Sequence, residues 1–160
     1  MSPCRGTGVV VVVVVAAALI CGGRVLAQQR TYPPEAAGRW ELPGGRVEPG
    51  ECDRDALVRE CREELAVEVV PGERLGPEVA LPGGAVLRAY VAHLASAPDN
   101  PDNPANLIPL EHAALRWVDL AALDGLDWLD ADRALLPDLA ALLAVQGTGA
   151  EAPRNGPRYR

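Results

Sequence analysis

Lysine and phenylalanine are absent from the chain, and histidine occurs only twice. All 15 basic residues are arginine, set against 22 acidic ones, which leaves a formal charge of -7. A surface of that sign repels long nucleic acid, whose binding needs a basic face, so polynucleotide partners are excluded. A small anionic ligand stays compatible, provided metal ions stand between the charges. The missing residue types, together with abundant Ala, Gly, Pro and Val, match the codon usage of a GC-rich genome and carry no functional meaning.

Cysteine is also sparse. Cys4, Cys21, Cys52 and Cys61 contain no CxxC pair, so neither a zinc site nor a disulfide framework is indicated, and reduced thiols in a cytoplasm fit the pattern. No apolar run is long enough to span a bilayer, which argues against a membrane partner. The longest, Val9 to Cys21, follows Arg5 and has the charged start and apolar middle of a secretory signal. Its seven consecutive valines are β-branched and favour a strand. Gly22-Gly23 then turns the chain into a second strand, Arg24 to Gln29. The strand reading is preferred, and with it a cytoplasmic location.

At 160 residues the chain has the size of one domain with one hydrophobic core. We expect a flexible start over 1–7, a folded domain over 8–145 and a disordered tail over 146–160, where apolar content is low. A monomer and a homodimer both fit. After the hairpin, Thr31 to Gly38 is rich in turn formers, and Pro43-Gly44-Gly45 breaks the chain again. Cys52 to Leu65 lacks Gly and Pro, and Leu57, Cys61 and Leu65 repeat every fourth residue, which predicts a helix with one apolar stripe. Strands are predicted at Val67 to Val70, Pro77 to Leu81, Ala85 to Leu94 and Leu115 to Val118. Ser96 to Pro109, with four prolines and three asparagines, reads as an exposed loop. Leu120 to Leu123 reads as a helical turn, and Ala131 to Val145 as a terminal helix interrupted near its start by Pro137. Strands on both sides of a central helix, closed by a second helix, imply an α/β sandwich with a mixed sheet.

The central helix carries the chemistry. Glu60, Glu63 and Glu64 stand at i, i+3 and i+4, so their carboxylates share one face and repel one another. Such a cluster is stable either because water solvates it or because a cation neutralises it. The flanking residues favour the cation: Gly45, Glu51, Arg59, Glu60, Glu63 and Glu64 match the pattern GX5EX7REUXEEXGU. Six fixed matches arise by chance on the order of 10⁻⁵ times along such a chain. The pattern resembles the Nudix box. Cys61 stands at its apolar position, a mild departure. Ala66 stands where the box has glycine, and would need about 1 kcal/mol to adopt the left-handed helix end.

The resemblance spans about Val9 to Leu143 and is similar to the MutT-like branch in Arg39-Trp40-Glu41-Leu42-Pro43-Gly44-Gly45, Leu110-Glu111-His112 and Asp127-Trp128-Leu129-Asp130-Ala131-Asp132. It implies hydrolysis of a nucleoside triphosphate to monophosphate and pyrophosphate. It implies Mg2+, or Mn2+ in its place, since carboxylates are the hard oxygen ligands such ions prefer. Glu60 and Glu64 are the implied principal ligands, with Glu63, the Gly44 carbonyl and Glu111 beside them, and Glu60 or Glu111 would activate the water. Arg59 and Glu51 are expected to shape the site. Arg30 and Glu41 are expected at the substrate, with Trp128 stacking on the base and Asp132 accepting from a base edge. Each has a plain alternative: a surface Arg30 or Glu111, a core Trp128. His93 and His112 are read as packing residues, with a place flanking the site as the alternative for His112. Oxidised guanine nucleotide and cytidine triphosphate are both compatible substrates, and a Nudix-fold module that binds a nucleotide without cutting it is the non-enzymatic alternative.

Overall fold

A computed structural model describes residues 10–96 and 107–148. The expected flexible start, most of the Pro-rich loop and most of the expected tail lie outside the described residues. The strands are β1 (Val13–Cys21), β2 (Arg24–Gln29), β3 (Trp40–Glu41), β4 (Gly44–Arg46), β5 (Val69–Ala80), β6 (Val86–Leu94) and β7 (Ala114–Val118). The helices are α1 (Asp53–Leu65), α2 (Asp130–Arg133) and α3 (Leu136–Thr148).

The valine-rich run forms the central strand. β1 pairs parallel with β6 along one edge, and antiparallel with β4 and then β2 along the other. Its side chains alternate between two cores. Val15, Ala17 and Leu19 pack with Ala56, Leu57, Cys61 and Leu65 of α1. Ala16, Ala18 and Ile20 pack on the opposite face with Leu135, Leu136, Leu139 and Leu143. Burial on both faces explains why the run is continuously apolar rather than alternating. The expected mixed sheet, covered on two sides, is therefore present.

β2 meets β1 only near the turn, at Ile20–Val25 and Cys21–Arg24. Beyond Val25 the two strands diverge, β2 going on to β3 and β1 to β4. The segment Trp40 to Arg46 fills the space between them, β3 on β2 and β4 on β1.

Several elements differ from expectation. Val67–Val70 and Pro77–Leu81 belong to one strand, β5, because shifts of register between Pro71 and Arg74 and between Leu75 and Val79 absorb the Pro-Gly pairs. The turn expected at Leu120–Leu123 is a 3-10 helix at Leu123–Gly125. The terminal helix breaks before Leu136, so that Pro137 falls in the first turn of α3, where its missing N–H costs nothing. α3 also runs on to Thr148, past the expected boundary at Val145. Ala66 does end α1 in the left-handed conformation (φ 53°), its N–H bonded to the Arg62 carbonyl. The burial of Leu57 and Leu65, about 1.5–3 kcal/mol each, outweighs that cost and the few tenths of a kcal/mol of repulsion per glutamate pair.

Candidate active site

Glu64 is the innermost carboxylate of α1, 6 % exposed and turned toward β2 and β4. Its Oε2 accepts from the Gly44 N–H at 3.1 Å and from Gln28 Nε2 at 3.0 Å. Burial drives its pKa well above the usual carboxylate range, against the pull of the Gln28 hydrogen bond. Glu60 lies one turn earlier, largely buried, and burial again raises its pKa, opposed by Arg59 and reinforced by the negative charges of Glu63 and Glu111. Glu63 is half exposed. The three glutamates thus share a face but not an environment.

Arg59 organises them. Its Nε and Nη2 donate to the two oxygens of Glu51 at 2.8 and 2.9 Å, a paired geometry, and Nη2 also reaches the Arg46 carbonyl. Its Nη1 donates to Glu60 at 3.0 Å and Glu63 at 3.2 Å. The Glu51 hydrogen bonds raise the guanidinium pKa still further, and Arg59 in turn lowers that of Glu51.

The two glycines before the box serve close approach. A Cβ at Gly44 would lie 1.9 Å from the Val15 carbonyl oxygen, and one at Gly45 would lie 2.3 Å from Glu60 Oε1. Gly45 therefore makes room for a carboxylate, and Gly44 for a strand.

A cleft that Glu64 also borders is lined by Arg30, Thr31, Tyr32, Glu111 and His112. Glu111 reaches it because the Leu110 N–H bonds to the Glu64 carbonyl at 3.0 Å, tying the segment before β7 to the last turn of α1. Arg30 sits there with Nη1 on both oxygens of Glu41, at 3.0 and 3.1 Å. His112 Nε2 lies 2.9 Å from Glu41 Oε1 and the residue lines the cleft, which favours a place flanking the site over plain packing, the two roles open to it in the sequence. His93 contributes to a separate small pocket with Cys21 and Gln146. Asp132, on α2, is 5 % exposed; its Oδ1 accepts from the Leu42 N–H at 2.9 Å, and burial raises its pKa to about 7.

Trp128 requires a correction. Its ring is fully buried, and Nε1 donates to the Leu123 carbonyl at 2.7 Å. No base can stack on a ring without exposed surface, so it belongs to the core. Conversely, Gln28 was not singled out. Its signal was a polar residue in the apolar strand Val25-Leu26-Ala27, on the same face as Leu26.

Among the described residues, no three acidic, His or Cys side chains already converge as a ready set of metal ligands. Glu60 and Glu64 instead spend oxygens on Arg59 and Gln28. The donor chemistry nevertheless fits a divalent cation. Glu60, Glu63, Glu64 and Glu111 are hard oxygen donors, and the repulsion that Glu63 and Glu111 exert on Glu60 is what such an ion relieves.

Comparison with known proteins agrees with this geometry. The NUDIX domain family model matches residues 8–139. A Mycobacterium tuberculosis protein named "Putative 8-oxo-dGTP diphosphatase 2" is 45 % identical over 139 residues, covering 85 % of this chain and 92 % of its own. The CTP pyrophosphohydrolase of Escherichia coli is 39 % identical over 95 residues, 59 % of this chain and 66 % of its own. Among solved structures, the E. coli ORF135 protein superposes with a TM-score of 0.65 at 33 % identity, over 89 % of this chain and 95 % of its own. A MutT protein from Methanosarcina mazei gives 0.61 at 25 % identity, over 85 % and 94 %.

Proposed function

The chain belongs to the Nudix family, and from that membership we propose that it hydrolyses oxidised nucleoside triphosphates, such as 8-oxo-dGTP, to the monophosphate and pyrophosphate. The observation that carries the reading is the meeting of two separate segments at one cleft. Glu64 of α1 and Glu111 from the approach to β7 line that cleft together, and Glu111 lies close enough to Glu60, one turn earlier on α1, to raise its pKa. Mg2+ or Mn2+ would be held by Glu60, Glu63, Glu64, Glu111 and the Gly44 carbonyl; when bound, the ion masks phosphate charge and polarises the scissile anhydride.

The protein's own residues supply the rest. Arg59 fixes the Glu60 carboxylate, so that little ordering is left for the moment of reaction. Gln28 and the Gly44 N–H hold Glu64 by one oxygen. Glu60, with its raised pKa, or Glu111 takes the proton of the attacking water. Arg30 lies at the cleft beside Glu41, where a guanidinium meets phosphate oxygens. Asp132 offers an acceptor to the base edge.

The relative named "Putative 8-oxo-dGTP diphosphatase 2" covers 85 % of the chain and supports the first choice. A second reading, CTP or a modified cytidine triphosphate, is favoured by the Asp132 carboxylate, which suits an exocyclic amine, and by the E. coli relative. Comparing kcat/KM for 8-oxo-dGTP and CTP, with products resolved by phosphorus NMR, separates them. Pyrophosphate is the expected product, and Glu60→Gln and Glu64→Gln should each lower kcat by roughly 10²–10⁴ while circular dichroism stays unchanged. Unaltered pyrophosphate release in both variants, or release of orthophosphate, would overturn the assignment.

A further inference from the structure

We infer that the nucleobase stacks on Tyr32, a role that rests on the nucleotide-hydrolase reading above. The rings of Trp40, Trp117, Trp128 and Tyr90 pack against the two cores. Tyr32 is 73 % exposed and lines the cleft that contains Glu64 and Glu111. Among the described residues it is therefore the aromatic ring left for a ligand.

Its placement follows from chemistry already described. The Tyr32 carbonyl accepts from Arg30 Nε at 2.9 Å, and Arg30 is itself held by Glu41. The backbone is thereby tethered while the ring stays uncovered. The cleft lining joins carboxylates, Glu64 and Glu111, to the Arg30 guanidinium and the exposed π-face of Tyr32 beside it. A nucleoside triphosphate has parts to match, with its phosphates drawn to the cation-binding carboxylates and its uncharged base to the ring. Stacking asks only for a π-face, which every base has, and an aromatic residue gives it large area for few rotatable bonds.

The test is calorimetric titration, with Mn2+ present, of the wild type, Tyr32→Phe and Tyr32→Ala. The probes are the non-hydrolysable α,β-imido analogue of 8-oxo-dGTP and inorganic imidotriphosphate, which lacks a base. Tyr32→Ala should weaken the nucleotide analogue on the order of 10-fold or more, leave the inorganic probe unchanged, and raise KM with kcat kept. Tyr32→Phe should bind like the wild type. Equal nucleotide affinity in wild type and Tyr32→Ala overturns the stacking role alone. So does a loss in Tyr32→Phe matching that in Tyr32→Ala, which would assign the contact to the hydroxyl. A wild-type protein that binds no nucleotide overturns the hydrolase reading itself.

Discussion

Asp132 accepts from the Leu42 N–H and from its own backbone N–H and keeps 5 % of its surface exposed, beside Glu41. A carboxyl whose pKa rises from 3.8 to about 7 on folding loses more from ionisation in the native state than in the unfolded one. Stability therefore falls as pH climbs from about 4 to about 7 and is level above, a difference of ~4 kcal/mol at most. Asp132→Asn keeps the acceptor for Leu42 and removes the charge. Its melting temperature should match the wild type at pH 4 and exceed it progressively up to pH 8; a gap independent of pH would refute the buried-charge account. The sequence identified Asp132 through its resemblance to the MutT-like branch, yet nothing in the local sequence showed that it would be buried. Trp128 failed for the complementary reason. Its large apolar ring suits a core and a stacking platform equally, and its complete burial in the fold decides between them.

Among the elements, α1 was the most legible, because its stripe and its box residues both obey helical spacing. β5 was the least, since bulges let Pro and Gly persist inside one strand. The β3–β4 break shows a finer distinction that spacing alone does not reveal. Gly44 faces the Val15 backbone, which cannot move without opening the sheet, whereas Gly45 faces the end of a glutamate side chain. Gly44→Ala should lower the melting temperature by several degrees or abolish folding, the consequence of backbone overlap in a packed sheet. Gly45→Ala should leave the fold nearly intact and cut kcat roughly 10²-fold by displacing Glu60 from Arg59. Thermal scans and turnover on the same preparations check both, and similar stability losses in the two would contradict the assignment.

Taken whole, the molecule keeps an excess of negative charge and concentrates part of it along one face of α1, with Glu111 close to it. Glu60 and Glu64, raised by burial, favour protonation in acid and compete for cations once ionised. Added Mg2+ or Mn2+ should therefore raise the melting temperature more at pH 8 than at pH 5, by linkage of binding to folding. Glu60→Gln should blunt that increase. A shift of equal size at both pH values would argue for nonspecific screening. Among the described residues no helix is long and apolar enough to cross a membrane.

The bond from the Leu110 N–H to the Glu64 carbonyl has a mechanical corollary. It pegs Leu110, and with it the neighbouring Glu111, to the helix, so a variant with two residues added between Ser96 and Leu107 should keep the wild-type turnover.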